Sequence, residues 1–172
     1  MKLNGYLASH FFNDAGLMWT EMIARKLREY FPQVNWYVPQ ENGEINDKEA
    51  NDATITDIGI ARGDNAHLKE TNILVSCLDG VEIDSGVASE IGYMVGRMET
   101  EKELSVHPTP RFIVGIYTDM RQVGTGDNHF YINMYVKGNV RIGGTVVKSV
   151  DEVIIEIAKF IRDLNTDIPG RI

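Results

Sequence analysis

An α/β fold with a mainly parallel five-stranded sheet and helices on both faces is predicted by three features of this 172-residue chain. The runs "NILVSCL" (72–78) and "RFIVGIY" (111–117) are almost wholly apolar and bounded by polar residues, as strands covered on both faces are. Segments with helical spacing of apolar residues lie between the strand candidates. Such alternation implies parallel strands joined by helical crossovers. No internal repeat and no second core is visible, so residues 1–172 read as one domain with a doubly wound, flavodoxin-like sheet.

In order along the chain, "KLNGYLA" (2–8) is a short first strand. Met18, Met22, Ile23, Leu27 and Tyr30 then mark an amphipathic helix over 15–31, capped by Asn13 or Asp14 and stopped by Pro32. "VNWYVP" is a second strand, and the acidic stretch 40–52 is a mobile loop. A helix is expected from about residue 50, with Ile55, Ile58 and Leu68 facing inward and with Gly59 and Gly63 weakening its middle. The third strand (72–78), a helix over 85–98 and the fourth strand (111–117) follow. Residues 118–139 form a long Gly-containing excursion, of the length that functional loops reach. "VRIGGTVV" holds one or two short strands, and Val150, Val153, Ile154, Ile157, Ile161 and Leu164 stripe a final helix over 149–165.

The formal net charge is −8, which argues against polymeric nucleic acid as a partner and is no obstacle to a neutral small substrate. Cys77 is the single cysteine; in its apolar run it reads as an inert buried thiol and fits a reducing compartment. No stretch approaches the roughly 18 apolar residues of a membrane span, and "MKLNGYLASHFF" lacks the apolar run of a signal peptide. No membrane association and a cytoplasmic location are therefore expected. His10, His67, His107 and His129 lack metal-ligand spacing. The absence of GxxxxGK[ST], GxGxxG and GxSxG patterns leaves no dinucleotide or ATP cofactor indicated.

In open parallel sheets, ligands bind outside the carboxyl ends of the strands. The segments 9–14, 40–47, 79–86 and 118–130 follow strands and should gather there. Asp79 and Glu82 read as solvated loop acids, and Asp84 reads as a helix N-cap. Glu90 is surrounded by Val87, Ala88, Ile91, Gly92, Met94 and Val95, so nearly every face of its helix is apolar or small. It is either a site residue or half of a buried ion pair. Gly86, one turn earlier on the same face, leaves room above the carboxylate for a ligand. Asp64 lies toward the end of the preceding helix, where the dipole disfavours a negative charge; it is either a surface acid or placed there for another reason. Tyr6 reads equally as a core tyrosine with its hydroxyl at the sheet edge and as a site residue. Phe11 and Phe12 suit a helix staple or a stacking surface for a flat ring. His10 and Arg62 read as loop and surface residues.

The first strand with "YLASHFF", then "GDNAHLKETNILV", "DSGVASEIGYMVG" and "YINMY", resembles the nucleoside 2-deoxyribosyltransferases over roughly residues 3–135. That family carries a tyrosine on its first strand, an aspartate nine residues before the third strand, and D-x-G-x-x-x-E-x-G-Y on the next helix. Tyr6, Asp64 with Ile73, and Asp84, Gly86, Glu90, Gly92 and Tyr93 match it. The resemblance implies that Glu90 is the nucleophile at C1′ of the deoxyribose and that Tyr6 orients it. It implies that Asp64 and Asp84 face the base, one of them protonating it as it leaves. It further implies that Asn133 reaches the sugar hydroxyls of a neighbouring subunit in a homo-oligomer with shared active sites. Deoxynucleosides and free nucleobases would be the substrates, without a cofactor, in nucleotide salvage. The base-contacting loop should lie near 40–46, where Gln40 or Asn42 could serve.

The chemistry suits these residue types. Cleaving an N-glycosidic bond develops oxocarbenium character that a carboxylate stabilises and traps, and the leaving base needs a proton from a second carboxyl. Two alternatives stay open: a hydrolase of (deoxy)nucleosides or nucleotides on the same fold, and a non-enzymatic flavodoxin-like binding module. The turn "ASHFFND" is not Gly-rich, which disfavours a nucleotide phosphate.

Overall fold

The computed structural model describes residues 2–43, 55–104, 107–120 and 132–166. In chain order the elements are β1 (Leu3–Ala8), α1 (Asp14–Tyr30), β2 (Val34–Tyr37), a 3₁₀ turn (Pro39–Glu41), α2 (Asp57–Glu70), β3 (Ile73–Cys77), α3 (Ser85–Leu104), β4 (Phe112–Ile116), α4 (Met134–Gly143), β5 (Gly144–Val147) and α5 (Val150–Thr166). The strands form one sheet in the order β2-β1-β3-β4-β5, and every neighbouring pair is parallel. This is the doubly wound, flavodoxin-like order, whose chain reversal places a crevice between β1 and β3.

Side chains alternate across the strands and divide the core in two. Leu3 and Leu7, Ile73, Val75 and Cys77, and Val114 and Ile116 pack under α1 and α5. Tyr6 and Ala8, Leu74 and Ile113 face the other way, against α2, α3 and α4. Cys77 is fully buried, and burial pushes its thiol up to about 11, as an inert core cysteine requires.

Local chemistry explains the element ends. Asn13 caps α1 by accepting the Gly16 N–H at 2.9 Å. Gly16 is required because a Cβ there would sit 2.0 Å from the His10 carbonyl. Thr56 caps α2 through the Gly59 N–H at 3.0 Å. The other end of α2 is held by Arg111, whose guanidinium donates to the Thr71 carbonyl and, at 2.8 Å, to that of Lys69. The same guanidinium pairs with Glu101 of α3 at 2.9 Å. Asp79 after β3 accepts from the Thr118 N–H at 2.6 Å, its hydroxyl at 2.8 Å and the Asp119 N–H at 3.0 Å, tying the ends of β3 and β4 together. It is therefore a structural anchor, where a solvated loop acid was expected.

Several expectations need correction. The buried stripe of α1 is Gly16, Thr20, Ile23, Ala24 and Leu27, while Met18 and Tyr30 are exposed. Helix α2 begins at Asp57, because Thr56 and not a residue near 50 satisfies its first amides; Ile58 in that first turn is exposed. Asp64 is consequently in the middle of α2, so the dipole argument does not bear on it. Helix α3 continues past residue 98 to Leu104. The stretch 134–139 belongs to α4, not to a loop, and Val140–Gly143 are helical rather than strand. Val136, Val140 and Gly143 supply the i, i+4, i+7 burial that stabilises this helix despite Gly138. Most of the acidic loop and residues 121–131 lie outside the described residues. Among the described residues, no helix is long and apolar enough to cross a membrane.

Candidate active site

At the carboxyl ends of β1, β2 and β3 lies a cleft of about 800 Å³, counting its open mouth, lined by Ser9, Phe11, Phe12, Pro39, Ile60, Asp64, Asp84, Gly86, Val87 and Glu90. Four separate stretches of chain meet there: the turn after β1, the turn after β2, one face of α2, and the first two turns of α3.

Tyr6 is fully buried near the end of β1 and points to the α3 side of the sheet. Its hydroxyl donates to Oε1 of Glu90. Burial, and then the neighbouring Glu90 charge, push the phenol's pKa far up, so it remains a donor. Glu90 projects from α3, and helical side chains lean toward the N-terminus. Its carboxyl therefore lies over the turn containing Gly86, where any side chain would crowd the approach. Burial pushes the Glu90 carboxyl up to about 7; the Tyr6 bond opposes that rise, and the charges of Asp64 and Asp84 add to it.

The other two carboxyls have different surroundings. Oδ1 of Asp84 accepts the Gly86 and Val87 N–H groups at 2.9 and 3.1 Å, at the positive end of α3. Asp84 is thus both a helix cap and a lining residue. Asp64 is half-buried, and its Oδ1 is buried with no hydrogen-bond partner. Burial raises its pKa, opposed by the hydroxyl of Tyr6, the nearby charge of His67 and the hydroxyl of Tyr37. Among the described residues, no group of three or more His, Cys, Asp or Glu is placed to hold a metal ion.

The remaining wall is apolar. Phe12 is 75% exposed and packs on Phe11, ring centroids 5.0 Å apart and 31° between planes. Pro39, Ile60 and Val87 also line the cleft.

The structure therefore brings Tyr6, Phe12, Asp64, Asp84, Gly86 and Glu90 to one place. It does not bring Asn133 there. Asn133 caps α4, its Oδ1 accepting the Tyr135 and Val136 N–H groups at 3.0 and 3.2 Å, and it borders a separate cleft with Val81, Glu82 and Ile83. Gln40 and Asn42 do not line the cavity: Gln40 donates to Glu21 at 3.4 Å and Asn42 to the Tyr37 hydroxyl at 3.2 Å. Pro39 lines it from that turn instead. Ile60 and Tyr37 escaped the sequence reading. Ile60 is four residues before Asp64 and so on the same helix face. Tyr37 ends β2 as the register partner of Tyr6. Both positions were readable once those elements were placed.

Comparison with known proteins agrees with this architecture. The family model described as nucleoside 2-deoxyribosyltransferase matches residues 6–152. Among solved structures, a conserved protein from Enterococcus faecalis V583 is 30% identical, with a TM-score of 0.77 over 92% of this chain and 99% of that one. A 2-deoxyribosyltransferase from Bacillus psychrosaccharolyticus shares the fold at 18% identity, with a TM-score of 0.57 over 91% of this chain and 95% of that one. A 2-deoxyribosyltransferase from Leishmania mexicana shares it at 14% identity, with a TM-score of 0.54 over 93% of this chain and 97% of that one. No curated protein sequence matches. With 147 consecutive residues inside the family model and the fold shared along nearly the whole chain, the protein belongs to the nucleoside 2-deoxyribosyltransferase family.

Proposed function

We propose that the protein transfers 2-deoxyribose between purine or pyrimidine bases through a covalent glycosyl-enzyme on Glu90. The observation that carries this reading is Glu90 itself: a partly buried carboxyl with one oxygen held by Tyr6, facing a cavity that two further carboxyls share.

A nucleoside seated with its base between Phe12 and the Pro39–Ile60 wall has C1′ over Gly86. The Glu90 carboxylate attacks C1′, and the C1′–N bond breaks with its electron pair going to the base. A proton from Asp64 neutralises that base nitrogen. The buried, unpartnered Oδ1 and raised pKa of Asp64 suit a carboxylic acid that carries a proton. Asp84, bonded to the α3 amides, is suited to stay charged and accept from the base. In the second half, an incoming base attacks C1′ and returns a proton to Asp64, and the bond to Glu90 breaks. Tyr6 acts throughout on Glu90, steadying the carboxylate as nucleophile and as leaving group.

Asn133 would serve a neighbouring subunit's sugar through its Nδ2, since Oδ1 is engaged in capping α4. This makes the active form a homo-oligomer. Nucleoside salvage in the cytoplasm is the corresponding setting.

Mass spectrometry after brief incubation with a deoxynucleoside tests this reading. One deoxyribosyl unit on Glu90 is expected, and a new nucleoside should form when a second base is added. Free sugar without a new nucleoside would instead make the protein a hydrolase. No adduct with unchanged substrate would refute both enzymes.

A further inference from the structure

We infer that the cleft also takes 2-deoxyribosides whose base carries a fixed positive charge, a pyridinium or an N-alkylated azolium, and that their cleavage bypasses Asp64. This rests on the proposed glycosyl transfer at Glu90 and extends it to a second substrate class, whose leaving base needs no proton.

The charge around the cleft is one-sided. Among the described residues, it is bordered by the carboxyls of Asp64, Asp84 and Glu90 and by no lysine, arginine or histidine. His67, which acts on Asp64, does not border it. Opposite charges attract more strongly in a cleft with apolar walls than in open water, and Pro39, Ile60 and Val87 supply such walls. Oδ1 of Asp84 is held by the Gly86 and Val87 amides, which leaves Oδ2 as its acceptor for a ligand. The Phe12 ring is 75% exposed and braced by Phe11, ring centroids 5.0 Å apart. It borders the same cleft and gives a flat cation an aromatic face. A neutral ring gains only the stacking from this arrangement, whereas a cationic ring gains the stacking and the field of the acids.

Bond chemistry separates the two classes. A neutral base leaves as an anion unless an acid protonates it, the task proposed for Asp64. A pyridinium or azolium leaves as a neutral heterocycle. The C1′–N bond breaks, its electron pair moves into the ring and cancels the charge, and a Glu90 oxygen forms the new bond to C1′. Atoms and charge balance with no proton supplied. Glu90 with its Tyr6 donor serves both classes, while Asp64 as an acid serves the neutral one alone.

The 2′-deoxyriboside of nicotinamide, a pyridinium, is compared with deoxyadenosine in single turnovers of the wild type and Asp64→Asn. The wild type is expected to release nicotinamide and to gain one deoxyribosyl unit on Glu90. Asp64→Asn should lose about 100-fold or more in the rate of base release from deoxyadenosine, and only a few-fold with the pyridinium substrate. Equal losses overturn the proposal, as does a wild type that cleaves deoxyadenosine and leaves the pyridinium substrate intact. A readout independent of turnover separates this from failure of the transferase reading. Titration at pH 8 with N-methylnicotinamide, a cation, and with neutral nicotinamide, followed by protein NMR, should show the cation binding about 10-fold more tightly. Asp84→Asn, in which Asn still caps the helix, and Phe12→Ala should each remove most of that preference. Equal binding of the two rings overturns the proposal even in a protein that cleaves nothing. Preference for the cation with neither substrate cleaved would keep the cleft as a site for cationic rings and refute the glycosyl transfer.

Discussion

The hydroxyl of Tyr6 donates to Oε1 of Glu90 across 84 residues of sequence. This bond lowers the Glu90 pKa while burial raises it. Tyr6→Phe therefore moves the Glu90 carboxyl further up from about 7. In the proposed mechanism Glu90 attacks as the anion, so the acid limb of kcat/KM should shift to higher pH. A hydrogen bond to a charged group contributes about 1.5–3 kcal/mol, so activity near pH 6 should fall roughly 10–100-fold. Steady-state kinetics from pH 5 to 9 check this; an unmoved acid limb would sever Tyr6 from Glu90.

Glu90 also has a signature in stability. Its pKa is about 7 in the folded protein against an ordinary 4.5. Between those values the folded state holds a proton that the unfolded chain releases, so stability falls as pH rises through this window. The cost reaches about 3 kcal/mol above pH ~7. Glu90→Gln removes it while keeping an acceptor for Tyr6. The variant should lose turnover by several orders of magnitude, yet be more stable than the wild type at pH 8 and equal to it at pH 4. Urea unfolding at the two pH values measures the difference, and an equal gap at both would contradict the burial of this charge.

Phe12 presents an exposed ring at the mouth of the cleft. Stacking of a base on an aromatic side chain is worth about 1–3 kcal/mol. Phe12→Ala is expected to raise KM for the nucleoside about 10-fold or more, with a smaller change in kcat. Equal KM values would mean that the base lies elsewhere.

Arg111 acts on the frame rather than the chemistry. Its side chain is 2% exposed, and it joins the carbonyl end of α2 to Glu101. Arg111→Met strands those carbonyls and weakens the grip on α3. Removing one partner of a buried pair costs about 3–5 kcal/mol; Glu101 keeps Arg97 at 2.6 Å, which points to the lower end. Denaturant unfolding should show that loss, while turnover per folded molecule stays near the wild-type value.

The all-parallel sheet was legible because β3 and β4 are almost unbroken apolar runs, a pattern that a strand buried on both faces imposes. Glu90 stood out for a related reason, as a carboxylate on a helix with almost no polar face. Helix α4 was hidden because Gly138 and the preceding glycines suggested loop, and its stabilising contacts with α3 and the sheet are not local. The start of α2 was misplaced because the Ile55–Ile58 spacing suits a helix equally well without the Thr56 cap. Asp79 could not be told from a solvated acid, since its partners lie 39 and 40 residues away. Tyr37 was missed because its meaning depends on register with β1, which no single stretch of sequence displays.

Asp84 caps the helix whose second turn carries Glu90. Any change to that acid reaches the cleft twice, once through its own charge and again by loosening the turn beneath Glu90. Phe12, an exposed ring, has no part in a cap, whereas Pro39 opens the 3₁₀ turn, its carbonyl accepting the Asn42 N–H at 3.1 Å. On the proposed roles, replacing Phe12 alters the wall beside the base alone, whereas replacing Asp84 alters a base contact and a helix cap together.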